Sequence, residues 1–276
     1  MIRYNGENPF YDMQSLYDDV VAMVSCDSTY LRDHARAWVG SCILSGNFKR
    51  CHIHVVSRDD ADFALIGLLK MQARALATAY GKMFHGLTAT FEEDCTGLTD
   101  NERRAWYANA RFVAAYNLMT EAIYSVRTLH GGPSVLLTDV DCVFMNRFVE
   151  PQKRIGLFLR EPLPNVGEFE REGTRVAAGM VHCHISERDF LGAVSNVLTN
   201  NALAWFMDQR ALWEVARSRL EHVHPFTKSD MNWSFDDASA TVWTGKGPLK
   251  HTSKPYLDAK KCFDDAMLNV DLWSHV

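Results

Sequence analysis

The chain reads as an α/β protein, with a mixed, mostly parallel sheet and helices on both faces. Three observations predict this. Short apolar runs alternate repeatedly with helix-periodic stretches, the pattern of a sheet whose strands are joined by crossover helices. The runs at Val20 to Ser25, Cys51 to Ser57 and Ser134 to Thr138 are apolar for most of their length, as strands covered on both faces are. No Pro-, Ser- or Gly-rich linker divides the 276 residues, so a single domain is expected.

Taken in order, Val20-Val21-Ala22-Met23-Val24-Ser25 is the first strand and ends at Cys26-Asp27-Ser28-Thr29-Tyr30. Leu31 to Leu44 carries Ala35, Trp38, Val39, Cys42 and Ile43 at helical spacing and stops at Ser45-Gly46-Asn47. Cys51 to Ser57 is the second strand, and Asp59-Asp60 opens a helix from about Ala61 to Tyr80. Leu87 to Phe91 is a weaker third strand. Glu102 to Leu129 is helical, with Thr99 and Glu102 spaced as a capping box, and its length predicts a break. Ser134 to Thr138 is a strand after Gly131-Gly132-Pro133, and Ile155 to Leu159 and Arg175 to Val181 are two more. Between the last two, Arg160 to Arg175 is polar and rich in Pro, Gly and Glu, the composition of a lid. Asp189 to Leu198 and Ala202 to Leu220 are helical, and Val242 to His251 is a glycine-broken basic loop.

The chemistry gathers around PSVLLTDVDCVFMNRF, Pro133 to Phe148, where Asp139 and Asp141 stand at the carboxyl end of a strand. Ligands of open α/β sheets bind there. Two carboxylates so close are costly in a low-dielectric crevice, and a hard cation such as Mg²⁺ or Mn²⁺ relieves the cost while completing its shell with phosphate and water oxygens. Asp-x-Asp alone fits a metal-bound diphosphate and a simple capped turn equally well. In the late loop, Gly245 and Gly247 permit close backbone approach to phosphate, and Lys246 or Lys250 offers a compact positive charge. It is not a P-loop, because the Gly-x-x-x-x-Gly-Lys-Ser/Thr spacing is missing. His251 is a candidate nitrogen ligand for the metal, Arg111 a candidate phosphate or nucleotide contact, and Asp27 with Tyr30 a candidate base-binding pair. Asp208, beside Gln209, can present a carboxylate to a sugar or an acceptor hydroxyl. Cys183 between His182 and His184 invites zinc, but no second cysteine pair stands at finger-like spacing. The remaining histidines, His52, His54, His222 and His224 among them, read as structural or surface residues.

Composition narrows the classes. A net charge of −5 excludes a protein built to coat nucleic acid. The start, MIRYNGENPFYDMQ, lacks the basic and apolar regions of a signal peptide, and no window approaches the ~18 apolar residues of a membrane span. A cytoplasmic location is the expectation. Seven scattered cysteines read as reduced, mostly buried thiols.

In this order, VSCDSTY, ANARFVAAYNLM, VLLTDVDCVF, RVAAGMV, WFMDQRAL and WTGKGPLKH resemble the nucleotide-sugar-dependent glycosyltransferases of the GT-A, Rossmann-like fold, closest to the glycogenin-like retaining families. The resemblance implies a metal-dependent transfer of sugar from a nucleoside-diphosphate sugar, a UDP-sugar foremost, to a hydroxyl of a saccharide or other acceptor. It implies Mn²⁺ or Mg²⁺ on Asp139 and Asp141 with His251 as a third ligand, and the diphosphate on Lys246 and Lys250. It further implies the base at Asp27 and Tyr30, Arg111 near the phosphates or sugar, and Asp208 and Gln209 facing the sugar and acceptor. Ala177-Ala178-Gly179 stands where these families carry Asn-x-Gly, and their terminal His-x-x-Gly-x-x-Lys order is not kept. Two other readings share the architecture. A sugar nucleotidyltransferase would carry a glycine-rich basic signature after the first strand, which CDSTY lacks. A non-catalytic nucleotide-sugar or carbohydrate-binding module would have no need of both aspartates.

Overall fold

The computed structural model describes residues 5–6, 8–9, 20–57, 59–93, 97–123, 132–161, 167, 171, 173–245 and 247–271. Eleven strands lie among them: β1 (Asn5–Gly6), β2 (Val20–Asp27), β3 (Arg50–Val56), β4 (Gly86–Glu92), β5 (Ser134–Thr138), β6 (Cys142–Phe144), β7 (Ile155–Leu159), β8 (Val176–His184), β9 (Val223–Pro225), β10 (Met231–Asn232) and β11 (Val242–Thr244). The helices are α1 (Ser28–Ser41), α2 (Asp60–Ala79), α3 (Asp100–Ile123), α4 (Arg188–Asn200), α5 (Met207–Ala216), the single turn α6 (Leu249–Thr252) and α7 (Lys254–Leu268).

Eight strands form one sheet in the order β1-β4-β3-β2-β5-β8-β7-β9, and β10-β11-β6 form a second. The block β4-β3-β2-β5 is parallel throughout. The strand β8 runs against both β5 and β7, so β7 and its parallel neighbour β9 point the same way as β5. The carboxyl ends of β2, β3, β4, β5, β7 and β9 therefore share one edge of the sheet. Among the described strands of this sheet, β8 and the two-residue edge strand β1 run the other way. The predicted α/β class, the mixed, mostly parallel sheet and the helix-covered faces are found; which strand is reversed is not predicted, because an apolar run carries no record of its direction.

The apolar runs are explained by burial on both sides. In β2, Ala22, Val24 and Cys26 face one core layer with Trp38, Ile53 and Leu76, while Val21 and Met23 face another with Phe112, Leu137 and Phe190. Alternate side chains enter opposite layers, so polar residues have no face to occupy. A third cluster, with Phe235, Trp243, Tyr256 and Phe263, seats α7 against the small sheet.

Helix ends follow the sequence signals. Asp59 accepts a hydrogen bond from the Ala61 N–H at 2.9 Å. Thr99 and Glu102 form the expected reciprocal box, with the Thr99 N–H donating to Glu102 at 2.8 Å and the Glu102 N–H donating to Thr99 Oγ1 at 3.3 Å. After α1 the chain widens into a π-type turn, Cys42–Gly46, and Asn47 ends it in the left-handed region at φ 58°.

Four expectations change. The helix expected from Ala202 begins at Met207. The segment VLLTDVDCVF divides into β5, a turn and β6, which joins the second sheet. The basic loop contains β11 and α6, and α7 follows where no element is predicted. The strand β8 extends through His184, which puts Cys183 on the face opposite His182 and His184, so those three cannot converge on a zinc ion. The long predicted helix runs from Asp100 to Ile123 without the predicted break; its residues 124–129 lie outside the described residues, as does most of the predicted lid: 162–166, 168–170 and 172.

His52 and His54 are structural, as expected. Both are fully buried in β3 and join a ladder across β4: His52 Nδ1 to Thr88 at 2.9 Å, His52 Nε2 to Thr90 at 3.0 Å, His54 Nδ1 to Thr90 at 2.9 Å and His54 Nε2 to Glu92 at 3.0 Å. A Cβ on Gly156 of β7 would lie 2.4 Å from Phe226 Cζ and 3.0 Å from His182 Cβ. Gly156→Ala is expected to destabilise the protein by about 1–3 kcal/mol through overpacking, measured as a lower chemical-denaturation midpoint. An unchanged midpoint would contradict the β7–β9 packing described.

Candidate active site

A crevice of about 800 Å³ opens at the shared carboxyl edge of the main sheet, above β2 and β5 and the amino end of β8. Of the residues singled out in the sequence, Tyr30, Arg111, Asp139, Asp141, Asp208, Gln209, Lys250 and His251 all line it. Asp27 does not. Its carboxylate caps α1 instead, accepting from the Tyr30 N–H at 2.8 Å. Lys246 lies outside the described residues.

Arg111 is the deepest charge, at 3% exposure, and it reaches the crevice from the middle of α3. Its Nη1 donates to Asp139 Oδ1 and its Nη2 to Asp208 Oδ2, the latter at 3.1 Å. Burial alone would lower the Arg111 pKa, but the two carboxylates outweigh it and raise the value above the ordinary guanidinium. One cation thus joins α3, the end of β5 and the start of α5.

Lys250 forms the second charged centre. The register Thr244↔Cys142 between β11 and β6 sets the glycine loop beside the Asp-x-Asp turn. Gly245 is required there, because a Cβ would stand 2.9 Å from Tyr256 Oη, 3.2 Å from Lys250 Cβ and 3.3 Å from Asp141 Cγ. Lys250 Nζ donates to Asp141 Oδ2 at 3.1 Å and to Tyr30 Oη at 3.1 Å. Burial opposes the ammonium, yet the Asp141 carboxylate and Tyr30 raise its pKa overall. Tyr256 of α7 donates to the Asp141 carbonyl at 2.6 Å and locks the turn from beneath.

At the far wall, Asp208 sits in the first turn of α5, where the helix dipole favours a carboxylate. Its Oδ1 accepts the Gln209 N–H at 2.8 Å. Gln209 Oε1 is held by Arg160 Nη2 at 2.8 Å, which leaves the amide nitrogen for a ligand. Phe206, immediately before α5, is held in the left-handed region at φ 68°, a strained conformation for an aromatic residue and one that clusters at ligand sites. Beside it Trp205 is 54% exposed at the crevice mouth.

The residues present fit a hard divalent ion in part. Asp139 keeps 35% side-chain exposure, and only its Oδ1 is engaged, so one carboxylate oxygen remains for a metal whose other ligands are phosphate and water oxygens. Among the described residues no three His, Cys, Asp or Glu side chains gather into a metal cluster. His251 lines the same crevice as Asp139 and Asp141 without forming such a cluster with them.

Sequence reading missed Arg160, Asn109, Tyr107, Trp205 and Tyr256. Arg160 had a signal, since it leaves the carboxyl end of a predicted strand just as Asp139 does. Asn109 and Tyr107 flank Arg111 on the same helix, where the aromatic spacing read as core. Tyr256 had none, because its role depends on a helix with no strong sequence pattern.

Arg111→Met should destabilise the protein by ~3–5 kcal/mol, because it strands two carboxylates that lie partly buried. Adding Asp208→Asn should recover part of the loss, and a double-mutant cycle with no coupling between the two positions would refute the pairing. His34, whose ring centroid lies 5.2 Å from Tyr30, provides a pH test. Burial, reinforced by the charges of Lys260, Lys250 and His251, lowers its pKa from 6.5 to about 3. A depressed folded value means that the contribution of the neutral ring is complete above pH 6.5 and is lost as pH falls toward 3. Stability of the native protein should therefore fall more steeply below pH 6.5 than that of His34→Gln, and parallel pH profiles would contradict this.

No protein-family model matches the chain, and no curated protein matches it in sequence. Solved structures do. The bifunctional glycosyltransferase WbbM, in its apo form, matches with a TM-score of 0.57 at 13% identity, over 96% of this chain and 51% of WbbM. The glycosyltransferase GlyE of Streptococcus pneumoniae matches with a TM-score of 0.50 at 10% identity, over 91% of this chain and 63% of GlyE. The chain spans about half the length of WbbM and less than two thirds of GlyE. At these identities the likeness is one of architecture, and it shows that the chain has the fold of glycosyltransferases.

Proposed function

We propose that this chain is a glycosyltransferase that moves a sugar from a nucleoside-diphosphate sugar, foremost a UDP-sugar, to a hydroxyl of a saccharide acceptor, with Mn²⁺ or Mg²⁺ bound at Asp139 and Asp141. One observation carries the reading. Chemistry-bearing side chains drawn from β5, α1, α3, α5 and α6 converge on a single crevice in a glycosyltransferase fold.

When bound, the metal supplies positive charge where the departing diphosphate develops negative charge. The chain supplies the rest. Lys250, held as an ammonium by Asp141 and Tyr30, stands ready to offset phosphate charge from the opposite side. Gly245 and Gly247 keep that wall bare, and Gly247, at φ 60°, sharpens the turn. Tyr30 offers a ring face to the base. Asp208 is a fixed negative charge, with one oxygen on Arg111 and the other on the Gln209 N–H. Such a group is suited to stabilising positive charge on the sugar, and Gln209, oriented by Arg160, to holding a sugar hydroxyl. The Trp205 and Phe206 side of the crevice is left for the acceptor.

The test is a thermal-shift panel of nucleoside diphosphates and nucleotide sugars with and without Mn²⁺. A ligand at ~100 times its Kd adds ~2.7 kcal/mol of stability and raises the midpoint. Asp139→Ala should abolish the metal-dependent part of that rise. Absence of a shift with every nucleotide, or an Asp139→Ala variant with an undiminished Mn²⁺ effect, would overturn the reading.

A further inference from the structure

Among the described residues, four buried polar atoms of the crevice-lining side chains have no hydrogen-bond partner: Arg111 Nε and Arg160 Nε, on guanidiniums bonded through their other nitrogens, and the neutral groups Ser25 Oγ and Asn109 Nδ2. Ser25, near the end of β2, and Asn109, on α3, are each 6% exposed. Ser25 Oγ and Asn109 Nδ2 make no hydrogen bond, and both residues line the crevice. A buried donor or acceptor left unmade costs ~1–3 kcal/mol, and native structures keep few of them. The neighbouring strand shows that this region can satisfy its polar groups. Ser25 lies in register with His54, and His54, although fully buried, is paired on both ring nitrogens. Ser25 and Asn109 both border the crevice, so a molecule that enters it can supply the missing partner.

The surroundings select which part of a nucleotide sugar that is. On the reading above, the diphosphate lies with Lys250 and the metal aspartates, and the sugar with Asp208 and Gln209. What remains is the base. Tyr30 and Tyr107, with ring centroids 5.6 Å apart, line the crevice with Asn109 and give flat apolar surface for a planar heterocycle. The Asn amide presents a donor and an acceptor side by side, and the Ser hydroxyl can serve as either, which matches the in-plane edge of a nucleobase. We propose that Asn109 and Ser25 read the edge of the donor's nucleobase and select it. The assignment rests on the donor-site reading of the preceding subsection. A pocket built to hydrogen-bond one edge rejects a base that leaves its buried groups unpaired.

The experiment is titration calorimetry with UDP, CDP, ADP and GDP in Mn²⁺, for the native protein, Asn109→Ala and Ser25→Ala, beside the melting temperature of each without ligand. The native protein should prefer one base. Asn109→Ala should weaken that diphosphate about tenfold and narrow its lead over the others, with Ser25→Ala acting in the same direction. Without ligand, both variants should melt at or above the native temperature, because each removes a polar group that has no partner. The assignment falls if both variants keep the native ranking of bases, or if their ligand-free melting temperatures drop in step with affinity, which marks a structural role. It falls also if Asn109→Ala weakens a nucleotide sugar but not the matching diphosphate, since the residue then reads the sugar. A native protein that binds none of the four would remove the donor-site reading itself, and this assignment with it.

Discussion

The guanidinium of Arg111 is the constraint on which the site depends. Three elements meet there: α3 supplies the cation, and the end of β5 and the first turn of α5 each supply a carboxylate. Without the cation, Asp139 and Asp208 would lose the positive charge that stands between them, and the start of α5 would lose this tether. Arg111 reaches this point because the other side of α3 is apolar, with Phe112, Ala115, Leu118 and Met119 pressed onto the sheet. The ordinary amphipathicity of a helix aims the one residue that organises the chemistry.

The small sheet does the same for the second charged centre. Pairing between β6 and β11 is only three residues long, yet it fixes Gly245 against Asp141 and lets α6 deliver Lys250. Tyr256 then closes the turn from below. Each cation is thereby matched with a carboxylate of the Asp-x-Asp pair, Arg111 with Asp139 and Lys250 with Asp141, so the charges of the crevice are already held in position rather than left to be gathered.

Much of this was legible in the residues. The helix starts at Asp59 and Thr99, the stop at Asn47 and the strand before Asp139 rest on local signals that act within a few residues, and such signals survive in a single sequence. Asp139 and Asp141 follow β5, and Tyr30 lies in the first turn after β2, at the edge where a topological rule puts ligands; Arg111, Asp208, Gln209 and Lys250 reach the same crevice from helices. What was not legible depends on partners distant in the chain. The direction of β8 is set by β5 and β7 together, and the division of VLLTDVDCVF into β5 and β6 is set by β11, about a hundred residues later. Asp27 and His251 illustrate the same limit. Both have the right chemistry, but the Asp27 carboxylate is drawn into capping α1, and His251 lines the crevice without gathering with Asp139 and Asp141 into a three-ligand cluster.

Those distances along the chain bear on how the protein folds. Lys250 is 109 residues from Asp141 and 220 from Tyr30, and Arg111 is 97 from Asp208. Loops of that size close slowly, and contacts between distant residues form late. A chain synthesised only as far as Thr241 would hold both aspartates and Arg111 but neither β11 nor Lys250. The Lys250–Asp141 pairing at the crevice is therefore among the last contacts this chain completes as it folds, and a more searching gauge of a finished fold than its helix content.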